Sequence, residues 1–315
     1  MKKIKVAVLC GGFSSEREVS LKTGKAVYET LKKSKKYLPA LFDITRKNCY
    51  IKLLQIKKAK FDIVFIALHG KFGEDGKLQL LLDCLNLKYT GCNALASAIA
   101  MNKILTKELL IRNDIPTPPF TVVKKETKLI SKFFEHINKK ISFPVIVKPA
   151  KEGSAIGVYL SNNKKELVSA IQLGFKYDNT LLIEKYIEGS ELSVPILGNK
   201  VLPIIEIKPN LGKFYNYESK YKTGGSMHII PAQISKELYH KVSELTIKSF
   251  KCIGAEVMAR IDFRVDQKNN PYVLEINTIP GMTATSLFPE SAKKSGISFD
   301  KLLDKIISLS FKKYT

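Results

Sequence analysis

Residues 256–277 read EVMARIDFRVDQKNNPYVLEIN, two β-type runs (256–266 and 272–277) joined by the turn signal Asn269-Asn270-Pro271. Side chains two apart on a strand share a face. Arg260 and Asp262 therefore point one way, and Glu275 and Asn277 point one way, while Ile261 and Ile276 face a core. If the runs pair as a hairpin, two carboxylates and an amide oxygen converge. Such a set suits Mg²⁺ shared with phosphate oxygens. The same pattern also fits a salt-bridged hairpin facing solvent, and the residues alone leave both readings open.

Upstream, residues 144–158 read PVIVKPAKEGSAIGV. A buried strand delivers Lys148 and breaks into a loop of glycine and serine, where backbone N–H groups can meet phosphate oxygens. It contains neither a P-loop nor a dinucleotide fingerprint, and a plain hairpin loop fits it too. The first third alternates strand and helix. Ile4–Cys10 reads as a strand, Gly11-Gly12 as a turn, and Ser14 or Ser15 as the cap of a helix to about Lys33. The run 61–68 is apolar except at Asp62, as in a parallel sheet covered on both faces, and it ends at His69-Gly70. Ligands of open α/β sheets gather at that carboxyl edge. Glu16 reads either as a first-turn helix charge or as a partner for a cationic amine.

The middle reads as α+β. A helix is expected over Ala94–Arg112, ended by Pro116, Pro118 and Pro119. Strands follow near 121–123, 144–149, 157–160 and 181–186, with helices near 127–138 and 163–174. Further strands are expected near 190–197, 200–207, 257–266 and 271–277, with helices near 235–252 and 300–312. The fold class is α/β (α+β), with a parallel sheet in the N-terminal part.

The 315 residues carry 52 lysines and arginines against 29 acidic residues, a net charge of +23. Only five of the basic residues are arginines, and tryptophan is absent while asparagine occurs 15 times. Lysine and asparagine have AT-rich codons, so genome composition explains the charge without a nucleic-acid partner. No block of like charge forms a basic tail. Five separated cysteines suit reduced thiols rather than a disulfide framework or a zinc site. No apolar run approaches membrane-span length, and a cytoplasmic location is expected.

Eight motifs in order identify the chain as similar to the D-alanine–D-alanine ligases of the ATP-grasp superfamily. They are GGFSSEREVSL (11–21), ALHGKFGEDGKLQ (67–79), YTGCNALASAIAMNK (89–103), PVIVKPAKEGSAIGV (144–158), IEKYIEGSELSV (183–194), FYNYESKY (214–221), ARIDF (259–263) and LEINTIPGMTATSLFP (274–289). The resemblance implies the ATP-grasp fold in three domains, 1–92, 93–187 and 188–315, with ATP between the last two. It implies that Lys103 and Lys148 bind phosphate, that Glu184, Tyr186 and Ile187 surround adenine, and that Glu191 meets the ribose. Phe214 would pack near the base and Lys220 near the transferred phosphate. Asp262, Glu275 and Asn277 match the family's ligands for two Mg²⁺ (or Mn²⁺) ions. Glu16 would bind the amine of the first D-alanine, with His69 beside it. Arg260 and the Gly281 N–H would hold the developing oxyanion, and Ser286 and Leu287 would contact the second D-alanine. Ser154, Tyr221 and Glu16 would close the loops over the site.

The implied reaction phosphorylates the first D-alanine and then lets the second amine displace phosphate. A lid must keep water from the acyl phosphate, and the glycine-containing stretch 208–231 is the expected lid. Tyr221 and Leu287 favour D-alanine over D-serine or D-lactate as the second substrate. Asn102 and Ala155 depart from the residues most common in the family, an aspartate and a serine, without removing a catalytic group. Family resemblance also implies a homodimer and no nucleic-acid or membrane partner. The competing expectations are an ATP-grasp ligase with another second substrate and a basic nucleic-acid-binding protein.

Overall fold

The computed structural model describes residues 2–128, 131–209, 225–283 and 285–315. The first sheet is built from β1 (Ile4–Gly11), β2 (Tyr37–Ile44) and β3 (Ile63–Ile66), in the order β2-β1-β3 and all parallel. Its flanking helices are α1 (Arg17–Lys33), α2 (Cys49–Lys58) and α3 (Lys77–Cys84). β3 is buried along its whole length, as its continuous apolar run requires. β2 went unread in the sequence: it is an edge strand with Pro39 and half-exposed positions, so it lacks the apolar signal of its neighbours.

The expected single helix over 94–112 is two helices, α4 (Ala94–Met101) and α5 (Lys103–Arg112). Asn102 separates them in an extended conformation, and its Oδ1 accepts from the N–H groups of Ile104 and Leu105. A side chain that caps a new helix breaks an apolar pattern that reads as continuous.

A four-stranded antiparallel sheet follows, in the order β4-β7-β5-β6. It comprises β4 (Phe120–Lys124), β5 (Val145–Pro149), β6 (Tyr159–Ser161) and β7 (Thr180–Lys185), with α6 (Ser131–Lys140) and α7 (Lys164–Gly174). The largest sheet is also antiparallel, in the order β11-β10-β8-β12-β13, with β9 on β8. Its strands are β8 (Gly189–Leu197), β9 (Lys200–Val201), β10 (Ile205–Pro209), β11 (Ser226–Ile229), β12 (Met258–Asp266) and β13 (Pro271–Asn277). The expected strand over 200–207 is thus two pieces. Pro203 lies between them and has no N–H for the ladder. α8 (Lys236–Cys252) packs its buried face on this sheet.

The two ends of the chain share a core. Leu302, Leu303, Ile306 and Ile307 of the last helix, α10 (Phe299–Lys312), cluster with Val6 and Val8 of β1. Ala96, Ala100 and Leu110 of α4 and α5 lie in the core of the largest sheet. The first and largest sheets therefore share cores with helices from other parts of the chain. Among the described residues, no helix is long and apolar enough to cross a membrane.

Candidate active site

β12 and β13 pair in the register Arg260↔Asn277, Ile261↔Ile276, Asp262↔Glu275. Both polar rows fall on one face, and both isoleucines are buried on the other. Asp262 is the centre of this row. Its Oδ1 accepts from Ser193 Oγ at 2.6 Å and from Arg260 Nε at 2.9 Å. Its Oδ2 accepts from Arg260 at 2.8 Å and from Asn277 Nδ2 at 3.0 Å. A bulge follows directly, between Asp262 and Phe263, a common device for re-aiming side chains beside sites.

Among the described residues, no cluster of three or more histidine, cysteine or acidic side chains could hold a metal by itself. Two opposed carboxylates and one amide oxygen fit a hard cation that draws its other ligands from phosphate and water. These residues therefore fit the magnesium that the motif implies.

The cleft between the two antiparallel sheets holds about 820 Å³, open mouth included. Lys103 and Lys148 are buried on its wall. Glu184 on β7 accepts from Lys148 at 2.6 Å and lies 2.9 Å from Lys107, which is fully buried. Lys107 also donates to Thr117 Oγ1 at 2.6 Å. Burial opposes ionisation of Glu184, but the two lysines hold its pKa below the usual carboxylate value. Burial pulls Lys107 down to about 8, against the pull of Glu184. Two cations around one anion leave one unit of excess positive charge, and the cost falls on the most buried lysine. An anionic ligand beside Lys148 offsets that excess.

Arg264, near the far end of β12, closes the other side of the cleft. It donates to Ile187 O at 3.1 Å, to Tyr186 Oη at 3.3 Å and to Glu191 Oε2 at 3.4 Å. Its guanidinium lies 5.4 Å from the centre of the Tyr186 ring. Three residues expected around the nucleoside are thus set by one arginine.

A second cleft, about 1400 Å³ with its mouth, adjoins the first through Glu275. One wall comes from Glu16, His69, Glu74 and Ser154, and the other from Arg260, Gly281, Ser286 and Leu287. Glu16 is buried, and its Oε1 accepts from Ser154 Oγ. Gly70 has φ 72°, and a Cβ there would lie 2.6 Å from Glu16 Oε2. Only glycine combines that backbone angle with that approach. His69 is held on both ring nitrogens, by Thr23 Oγ1 at 3.0 Å and by Glu74 Oε1 at 3.2 Å. Burial raises the Glu74 pKa, and Glu16 adds to the rise. Ser154 and Ala155 have φ 53° and 57°. Left-handed backbone at non-glycine residues costs of order 1–3 kcal/mol each and clusters at ligand-binding loops. Lys103 donates to Glu152 O in the same loop at 2.5 Å.

The structure thus gathers the expected residues around two joined clefts. Phe214, Lys220 and Tyr221 lie outside the described residues, as does most of the expected lid. Sequence reasoning missed Lys107, Arg264, Glu74 and His228. Lys107 is four residues from Lys103 on one helix face, and Arg264 is two from Asp262 on one strand face, so both were findable. Glu74 lies within a quoted motif. His228 carried no local signal.

Two antiparallel sheets gripping a lysine-lined cleft, with opposed carboxylates on one of them, define an ATP-grasp ligase. Family comparison narrows the class. The profile described as "D-ala D-ala ligase C-terminus" matches residues 109–308, and "D-ala D-ala ligase N-terminus" matches 5–57 and 53–92. The chain is 44% identical over 313 residues to the D-alanine–D-alanine ligase of Pelotomaculum thermopropionicum, covering 98% of this chain and 96% of that one. It is 45% identical over 311 residues to that of Carboxydothermus hydrogenoformans, covering 97% and 98%. The Bacillus anthracis D-alanine–D-alanine ligase, solved with ATP, superposes with TM-score 0.86 at 35% identity over 99% and 98% of the two chains. The VanG D-Ala:D-Ser ligase of Enterococcus faecalis superposes with TM-score 0.84 at 29% identity over 98% and 100%. The chain belongs to the D-alanine–D-alanine ligase family.

Proposed function

We propose that the chain joins two D-alanine molecules at the expense of ATP, producing D-alanyl-D-alanine for peptidoglycan synthesis. The observation that carries this assignment is the polar row Arg260–Asp262–Glu275–Asn277 at the junction of the two clefts, where a phosphate from one side can meet a carboxylate from the other. ATP would lie along Lys148, Tyr186, Ile187 and Glu191, with Glu184 held for the base by Lys107. Asp262, Glu275 and Asn277 would hold magnesium, whose role is to offset phosphate charge during transfer.

In this reading the first D-alanine docks its ammonium on Glu16 beside His69. Its carboxylate oxygen takes the terminal phosphoryl group of ATP, and ADP leaves. The amine of the second D-alanine attacks that carbonyl carbon, the C–O bond to phosphate breaks, and the amine loses a proton. The negative charge that develops on the carbonyl oxygen faces Arg260 and the N–H of Gly281. Losing one such donor typically costs about 2.7–4 kcal/mol of barrier.

Both a D-Ala:D-Ala and a D-Ala:D-Ser ligase share this fold, so the backbone does not choose the second substrate. Tyr221 and Leu287 support D-alanine. We also propose a homodimer, a cytoplasmic site of action and the three-part division at 92/93 and 187/188. The deciding assay follows ADP and phosphate release from purified protein with Mg²⁺ and ATP, comparing D-alanine with L-alanine, D-serine and D-lactate. D-alanine-dependent release with dipeptide product is expected. Absence of D-alanine-dependent turnover in folded protein refutes the proposal.

A further inference from the structure

His228 on β11 lines the second cleft together with Glu16, Arg260, Ser286 and Leu287. Its Nδ1 lies 2.7 Å from Glu290 Oε2, and its Nε2 lies 3.2 Å from Ser226 Oγ. Glu290 is in the first turn of α9 (Leu287–Lys294), the helix that begins at Ser286. Both side chains are largely shielded, at 20% and 28% exposure. The pair therefore ties β11 to the helix end where the second substrate is expected.

The electrostatics of this corner are opposed. The start of a helix favours an anion, and in the ligase reading the amine-donating substrate, which carries a carboxylate, meets Ser286 and Leu287 there. Glu290 places a second negative charge one turn away. Two carboxylates at one helix end disfavour each other. With Nδ1–H donated to Glu290, His228 draws the Glu290 charge onto itself and away from the substrate.

We propose that the His228–Glu290 pair sets the affinity of the second, amine-donating substrate, with Glu290 as the opposing charge and His228 as the group that masks it. This inference rests on the ligase reading given above. It makes the two residues positioning groups that act on binding, not on the chemical step. Their effect is the same for any second substrate that carries a carboxylate.

The test is steady-state dipeptide synthesis by the full chain at saturating ATP, at one pH, with D-alanine varied. His228→Phe removes the donor and bares Glu290. The expected result is a roughly five- to tenfold rise in KM for the second D-alanine, the size of a helix-end charge effect, with kcat and the KM for ATP little changed. Glu290→Gln removes the opposing charge, and that KM is expected to stay at or fall below the wild-type value. The double variant is expected to return toward wild type, a sign reversal that loss of packing cannot produce. An unchanged KM in H228F overturns the proposal, as does a rise in E290Q equal to that in H228F. If H228F does not fold, a raised KM in E290Q alone overturns it. Wild-type protein without dipeptide synthesis overturns the ligase reading instead, so the two failures are distinct.

Discussion

Glu184 and Glu16 are both buried carboxylates, yet they are held in different ways. Glu184 sits inside the middle sheet, gripped by Lys107 and Lys148. Its neighbours on β5 and β7 are fixed by backbone ladders. Glu16 sits on the loop before α1 and meets Ser154, 138 residues away, across the joint between two parts of the molecule. The cleft proposed for the nucleotide is thus built on strands, with one unit of positive charge in excess. The cleft proposed for the D-alanines is assembled where loop ends carrying Glu16 and Ser154 meet the polar row of β12 and β13. Damage to the first should be read as lost stability and weaker nucleotide binding. Damage to the second should be read as lost turnover in a folded protein.

Arg260→Ala is expected to break that contrast most visibly. It should lower turnover about 10²–10³-fold, the loss seen when an oxyanion donor is removed, in a chain that still folds, because Ser193 and Asn277 still donate to Asp262. Arg260→Lys should not restore the rate, because an ammonium cannot reproduce the two-point contact with Asp262. Steady-state kinetics alongside thermal unfolding checks both, and full activity in either variant removes Arg260 from the site.

Lys107→Met should act in the opposite sense. Breaking a buried ion pair typically costs about 3–5 kcal/mol, so urea unfolding should show a loss of that order, and KM for ATP should rise. The pH dependence has a definite sign. Lys107 falls from 10.5 to about 8 on folding. Between those values the unfolded chain holds a proton that the folded chain has lost, so stability contributed at this site rises with pH. Below pH 8 both states hold the proton and the full burial cost remains. The stability difference between wild type and K107M, measured by urea unfolding at pH 7.5 and 9.5, should therefore widen at the higher pH. An equal difference at both values contradicts the assigned burial cost.

Ser154→Ala tests the assembled cleft more gently. It deletes a hydrogen bond to a charged group, an interaction worth about 1.5–3 kcal/mol. A rise of at least tenfold in KM for the first D-alanine is expected, in a protein that still folds. Arg264→Lys gives the smallest effect, about fivefold in KM for ATP, since an ammonium keeps the charge near Glu191 but not the planar stacking on Tyr186.

Much of this was legible before folding. The strand faces at 260–262 and 275–277 follow from a period of two, and the register bears them out. The apolar run ending at His69 placed a buried parallel strand, as β3 shows. Elements whose signal is weak on its own were not legible. β2 is a half-exposed edge with a proline, and β11 is four residues long. The break at Asn102 depended on which of two hydrogen-bonding roles an asparagine takes, helix interior or cap, and the apolar pattern does not encode that choice.

The sequence by itself determined which residues share a strand face and which motifs belong to one ligase family, because those properties are local and, for the faces, repeat with the strand period. Tertiary structure alone decided who partners whom. Lys107 meets Glu184 from 77 residues away, Arg264 meets Ile187 across the same distance, and His228 meets Glu290 at a separation of 62. Charges so far apart in the chain interact only when packing brings them within a few ångströms and removes the water between them. That is where their pKa values and their roles are set.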